Sequence, residues 1–335
     1  MARLLVTNGD CAAAALRAVG VPGRLLPWRD GLHDGPVPAD DRLDMVSDAR
    51  AGFLAAAMGL AFDAVRADFA VRDGVIEAHI AYDTVELWFE HDLYDQLQLI
   101  QLLAFFASEP DRRGLFLVQA DTYLGPMAPD AIAGLAPAAA PVRAIQLEAG
   151  RAAWAAFTAA TPEALAAFAA RPVPGLPHLA PALRRALAEL PAPGNGLSLT
   201  QARAMAALAA GPSSAARLFA AVSVQEAARF LGDLSFFLQL DDLAFAPTPL
   251  ISGLPHPVHD CPAFTPAAPP TPAEAAYRAY AEAPLALTAA GRAALSGSFD
   301  HAAENAVTRW LGGTHLRPGA LWRYDRDRAR LVAPD

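Results

Sequence analysis

Over the first half of the chain, short apolar runs alternate with longer stretches of helical periodicity. Leu4 to Thr7 reads as a strand that runs into Asn8-Gly9-Asp10, and an Ala/Leu-rich helix follows from Ala12 to Val19. Arg24 to Trp28 reads as a second strand, ending in the polar loop Arg29 to Pro36, whose glycines and proline forbid regular structure. Helical stretches over Arg42 to Met58 and Phe62 to Ile80 precede a third strand, Val85 to Phe89, which ends in Glu90-His91-Asp92. A strongly amphipathic helix from Leu93 to Phe106, a strand from Leu115 to Val118 and a fifth strand from Val142 to Leu147 complete the pattern. Strands alternating with helices predict an α/β fold with a mostly parallel, Rossmann-like sheet of about five strands, covered on both faces.

The pattern changes near residue 150, which we take as a boundary between an α/β domain (1–150) and a mainly helical domain (151–335). Helices are expected over Arg151 to Ala170 and Pro181 to Leu190, separated by the proline-rich Pro172 to Pro177. Three more follow over Ser198 to Ala210, Ala215 to Val222 and Gln225 to Leu240. Residues 247–273 read as a proline-rich loop, and Leu285 to Leu295 as a strand and closing helix. The region from about 197 to 297 therefore has the outline of a winged helix.

With 54% hydrophobic residues, the 335-residue chain can fill cores for two or three domains. The start lacks a basic region followed by an apolar run, and no stretch has the length of a membrane span, so a cytoplasmic protein without a membrane partner is expected. Two distant cysteines, Cys11 and Cys261, provide neither a disulfide framework nor a Cys-rich zinc site. Residues 1–150 hold 21 Asp/Glu against 11 Arg, so this half is a poor surface for a phosphate backbone. In the expected recognition helix, Gln225 to Leu240, Arg229 is the lone basic residue. That argues against nucleic acid and for packing on another domain, subunit or protein partner.

The polar residues collect where the strands end, which is where open parallel sheets bind ligands. Asn8 and Asp10 follow the first strand, Asp10 either capping the next helix or touching a ligand. Cys11, beside it, reads as a buried small residue. After the second strand, Arg29 is suited to anchor a phosphate or carboxylate, with Asp30 and Asp34 as further ligand contacts and His33 as a proton carrier. After the third strand, Asp92 and Asp95 have the spacing of a helix cap, which leaves Glu90 and His91 unexplained by capping. His91 and Asp95 lie four apart on one helical face; Glu90, His91, His33 and Asp95 are the catalytic candidates, Gln96 a ligand contact, and Asp92 with Asp95 the candidate metal ligands. His256, His259 and Cys261 sit in a proline-rich loop with no second ligand pair, and read as surface. Phosphate-loop and dinucleotide fingerprints are absent, so neither NAD nor ATP binding by those motifs is expected. A divalent metal is the one cofactor the residues suggest.

Three segments, Val6 to Asp10, Leu26-Pro-Trp-Arg-Asp-Gly-Leu-His-Asp-Gly-Pro-Val-Pro38 and Leu87-Trp-Phe-Glu-His-Asp-Leu-Tyr-Asp-Gln96, resemble the bacterial domain of unknown function 1835 family over about residues 1–130. Gly232-Asp-Leu-Ser-Phe-Phe237 and Arg309-Trp-Leu-Gly-Gly313 resemble the C-terminal part of full-length members. The resemblance implies recurring polar motifs without an assigned activity. Three functions stay open on the sequence: a hydrolase or group-transfer enzyme for a small polar or phosphorylated molecule, a metabolite-sensing regulator with a winged-helix-like output domain, and a scaffold with a vestigial pocket.

Overall fold

A computed structural model describes residues 2–40, 42–112, 114–261 and 272–334. The chain runs β1 (Arg3–Thr7), α1 (Asp10–Ala18), β2 (Arg24–Pro27), α2 (Leu43–Met58), α3 (Phe62–Glu77), β3 (Thr84–Phe89), α4 (Leu93–Ser108), β4 (Leu115–Gln119), α5 (Pro129–Leu135) and β5 (Ala140–Pro141). Next come α6 (Ala144–Phe157), α7 (Glu163–Ala169), α8 (Leu179–Leu187), α9 (Leu199–Ala209), β6 (Ser213–Ser214), α10 (Ala215–Ser223), α11 (Asp233–Ala244) and β7 (Ile251–Ser252). The chain closes with α12 (Pro272–Glu282), β8 (Pro284–Leu287), α13 (Ala289–Leu295), α14 (His301–Glu304), β9 (Arg309–Leu311), β10 (Thr314–Leu316), β11 (Arg323–Asp325) and β12 (Arg330–Val332).

The main sheet has the order β2-β1-β3-β4-β5; β1 pairs in parallel with β2 and β3, and β3 with β4. Side chains alternate across it, as the two-residue period of a strand requires. Leu4, Val6, Val85, Leu87 and Phe89 face one core with α4, α6 and α8, while Leu5, Trp88 and Val118 face a second with α1 and α5. Glu86 is buried in the sheet, held by Arg3 at 2.6 Å and by the Trp88 indole N–H at 3.1 Å.

Three expectations need correction. The fifth strand is not Val142 to Leu147: it is the two-residue β5, antiparallel to β4, and Ala144 onward is helical. Leu147, Gly150, Ala153, Trp154 and Phe157 are buried at helical spacing, a longer pattern than the short apolar run that suggested a strand. The helix α6 runs through residue 150 and packs on α4, where a side chain at Gly150 would lie 2.3 Å from Leu103 Cβ. The expected helix Gln225 to Leu240 begins only at Asp233, with Gly232 as its N-cap in extended conformation. Similarly, Arg151 to Ala170 is divided between α6 and α7, with Pro162 capping the second. The part of the proline-rich loop over 262–271 lies outside the described residues.

A second core, from Leu197 to Ala294, is built on α9, α10 and α11 with the antiparallel sheet β6-β8-β7. The two C-terminal hairpins return to the first core through Leu311, Leu316 and Tyr324. At the β9–β10 turn, Gly312 has φ +58°, and a Cβ on Gly313 would meet the Thr158 carbonyl oxygen at 1.8 Å. Gly313→Ala is therefore expected to cost more than about 2 kcal/mol in urea unfolding; a loss below about 0.5 kcal/mol, typical of a free surface site, would mean that the turn is not docked on the end of α6.

Candidate functional site

The strand order reverses at β1, which has β2 on one side and β3 on the other, and this reversal opens a crevice beyond the carboxyl ends of β1 and β3. Asn8 leaves β1 and Glu90 leaves β3 at that point. Asp92 is the N-cap of α4, its Oδ1 accepting from the Asp95 N–H at 3.2 Å. Asp95 does not complete a capping box: its Oδ1 accepts from the Glu90 N–H at 2.6 Å and its Oδ2 from Asn8 Nδ2 at 2.7 Å. Glu90 Oε1 accepts from the Leu124 N–H at 2.7 Å, and Gln96 Nε2 donates to the Glu90 carbonyl at 2.7 Å. These bonds bend the chain after β3 back onto the start of α4.

One carboxylate oxygen from each of Glu90, Asp92 and Asp95 lies within 4.8 Å of the others, and all three residues are buried. Among the described residues no Arg or His forms an ion pair with any of them. Burial pushes the Glu90 carboxyl up to about 7, with the nearby Asp92 adding to the rise. Burial likewise raises Asp92 to about 6, and burial followed by the Asp92 and Glu90 charges lifts Asp95 well above the usual range. Three buried carboxylates at this separation suit a hard divalent cation, which takes oxygen ligands and removes the repulsion.

The other expected site residues divide into separate groups. Arg29 and Asp10 form a two-pronged pair, 2.7 Å at both contacts, but both side chains are about half exposed or more. Such a pair adds little stability. Asp10 is the first residue of α1 and makes no cap bond, and Cys11 is exposed rather than buried. Asp30 is buried against Arg50, with Nε to Oδ1 at 2.9 Å. His33 Nε2 lies 3.3 Å from Ser235 Oγ and 3.4 Å from Asp34 Oδ2, with Tyr94 and Phe230 edge-on to its ring, so it faces α11. His91 packs against Tyr123 and His178, the latter 3.1 Å from Asp121. Burial and then the His178 imidazole hold His91 below its ordinary value. Asn8, Glu90, Asp92, Asp95 and Gln96 thus come together, whereas Arg29 with Asp10, Asp30, His91, and His33 with Asp34 do not share their hydrogen bonds.

Sequence reasoning missed Arg50, although it falls on the buried stripe Leu43, Val46, Ser47, Arg50, Ala51 of α2, where a charged residue signals a buried partner. It also missed the Leu124 N–H, Tyr123 and His178, which the fold draws in from 32 to 87 positions away. Within the described residues no helix is long and apolar enough to cross a membrane. Compared with known proteins, the chain matches no family model and no curated protein.

Proposed function

We propose that the protein is a hydrolase or group-transfer enzyme for a small polar or phosphorylated molecule, with Glu90, Asp92 and Asp95 holding a divalent cation. The observation that carries this reading is the convergence of three buried carboxylates, with no Arg or His ion-paired to them among the described residues, at the point where strand order reverses. A cation bound there polarises a phosphoryl or carbonyl oxygen and acidifies a bound water. Asn8 and the Leu124 N–H orient the carboxylates, and His91, kept neutral, accepts a proton from the rim. Arg29 stands on the neighbouring loop as an anchor for an anionic substrate once it exchanges Asp10 for that ligand. Membership of the domain of unknown function 1835 family is part of the same proposal, since its motifs fall on these loops.

A second reading has one specific observation in its favour. The succession α9, β6, α10, α11, β7, α12, β8, with β8 between β6 and β7, has the order of winged-helix domains except that α12 stands between the last two strands. A regulator would use this part as its output. Yet α11, in the position of the recognition helix, carries Asp233, Asp241 and Asp242 and no basic residue, so a protein partner suits it better than DNA.

The test is turnover of para-nitrophenyl phosphate and a panel of phosphomonoesters and phosphodiesters by the full chain with Mn2+ or Mg2+. Metal-dependent turnover that falls at least 100-fold in Glu90→Gln supports the enzyme. Turnover unaffected by Glu90→Gln removes the assignment, and no turnover on any ester favours the regulator.

A further inference from the structure

A cavity of about 630 Å3 opens where the loop after β2 meets α11 and β9. Its volume is that of a small-molecule site. None of Glu90, Asp92 and Asp95 lines it, so it is distinct from the strand-end crevice. Much of its wall is apolar, including Phe53, Phe230, Leu238 and Phe245.

Two charged side chains in this wall, the half-buried Arg309 and the solvent-facing Asp242, have hydrogen-bonding capacity left over. Arg309 donates from Nη2 to the Glu189 carbonyl, and among the described residues no carboxylate is within ion-pair distance of it. A guanidinium has five N–H donors, so most of this one's capacity is unused. Asp242 makes no hydrogen bond or ion pair with any described residue, and its surface opens to solvent in the cavity it lines. Desolvation by the surrounding cavity wall raises its carboxyl to about 6, and the Arg309 charge offsets this only in part. Asp34, Asp241 and Glu189 also line the cavity, the last two already held by Tyr280 and by Arg185. A ligand that is only anionic would face these acids, and one that is only cationic would leave the guanidinium donors unfilled.

We propose that this cavity binds a small zwitterion of the amino-acid type, its carboxylate on Arg309, its ammonium on Asp242 and Asp34, and its apolar side chain against Phe230 and Phe245. The ligand joins the two unpartnered charges through itself and fills the apolar wall between them. Binding needs no metal and stands independently of the cation site.

The experiment is titration calorimetry of the full chain in the presence of chelator, with L-phenylalanine, L-leucine, phenethylamine and 3-phenylpropionate as probes. Both amino acids are expected to bind, and the two single-charge probes at least about tenfold more weakly, since each leaves one charged partner unmet. Asp242→Asn keeps the shape and removes no existing hydrogen bond, so it should fold normally and weaken L-phenylalanine binding at least about tenfold. Arg309→Lys keeps a charge but loses the planar fork, and should weaken it as well. No heat with either amino acid overturns the proposal. Phenethylamine binding as tightly as L-phenylalanine, or Asp242→Asn binding unchanged, overturns it equally.

Discussion

Arg50→Met is expected to destabilise the protein by about 3–5 kcal/mol, the cost of leaving a buried charge without its partner. Arg50 and Asp30 are both fully buried, with Nη2 to Oδ1 at 2.8 Å. The same guanidinium reaches the carbonyls of Gly31 at 3.0 Å and Pro36 at 3.3 Å, and that of Asp34. One side chain from α2 thus satisfies the acid and three backbone acceptors of the loop after β2. Methionine fills the volume but none of those bonds. Replacing Asp30 as well, in Asp30→Leu with Arg50→Met, recovers only part of the loss, because the three carbonyls stay unmet. Urea unfolding measures both variants; a loss below about 1 kcal/mol for Arg50→Met, the range of an exposed pair, would contradict the buried geometry. Because this loop carries His33 and Asp34, the single variant should also weaken any ligand held in the cavity beside α11.

Without divalent cations, the three raised carboxylates should make stability fall as pH rises from about 4 to about 7, outweighing buried His301, which is pushed down to about 4 and acts in the opposite sense. Glu90 titrates at about 7 in the folded chain against 4.5 unperturbed, and Asp92 at about 6 against 3.8. The folded state therefore keeps protons that the unfolded chain has released, so the advantage present below the unfolded values is lost as pH passes through the folded ones. For Glu90 alone the change is on the order of 3 kcal/mol at 1.36 kcal/mol per unit. Glu90→Gln should flatten the slope. Saturating Mn2+ should reverse it, since the ion competes with protons for the same oxygens. Thermal midpoints across this range, with chelator and with Mn2+, measure the effect; a metal-free profile that rises steadily from pH 4 to 7 would show the carboxylates to be well solvated.

The strand-end polar residues and the parallel sheet were legible because β1, β2, β3 and β4 are short apolar runs bounded by Asn8, Arg29, Glu90 and Gln119, and such punctuation survives in any tertiary context. The β5 error has a physical origin: Val142 to Leu147 is a short, mostly apolar run, and only Trp154 and Phe157, further on, reveal that the stripe is helical. The trio was legible in part. Its spacing is that of a cap, and Asp92 is one; that Asp95 turns instead to Asn8 and the Glu90 N–H depends on β1 lying beside β3, which no local pattern states. Gathering all strand-end charges into one cavity went too far for a similar reason. Arg50 claims Asp30, and α11, remote in sequence, claims His33, so the loop after β2 turns away from the carboxylates at the end of β3.

The central claim, that Glu90, Asp92 and Asp95 hold a divalent cation, is tested most directly by thermal unfolding at neutral pH during titration with Mn2+, Mg2+ and Ca2+. The account predicts a saturable rise in midpoint with at least one ion, equivalent to about 2.7 kcal/mol at 100 times the Kd. Asp92→Asn, which can still cap α4 through its amide oxygen, should abolish that rise while leaving the metal-free protein folded. No rise with any of the three ions, or the same rise in Asp92→Asn, would contradict it.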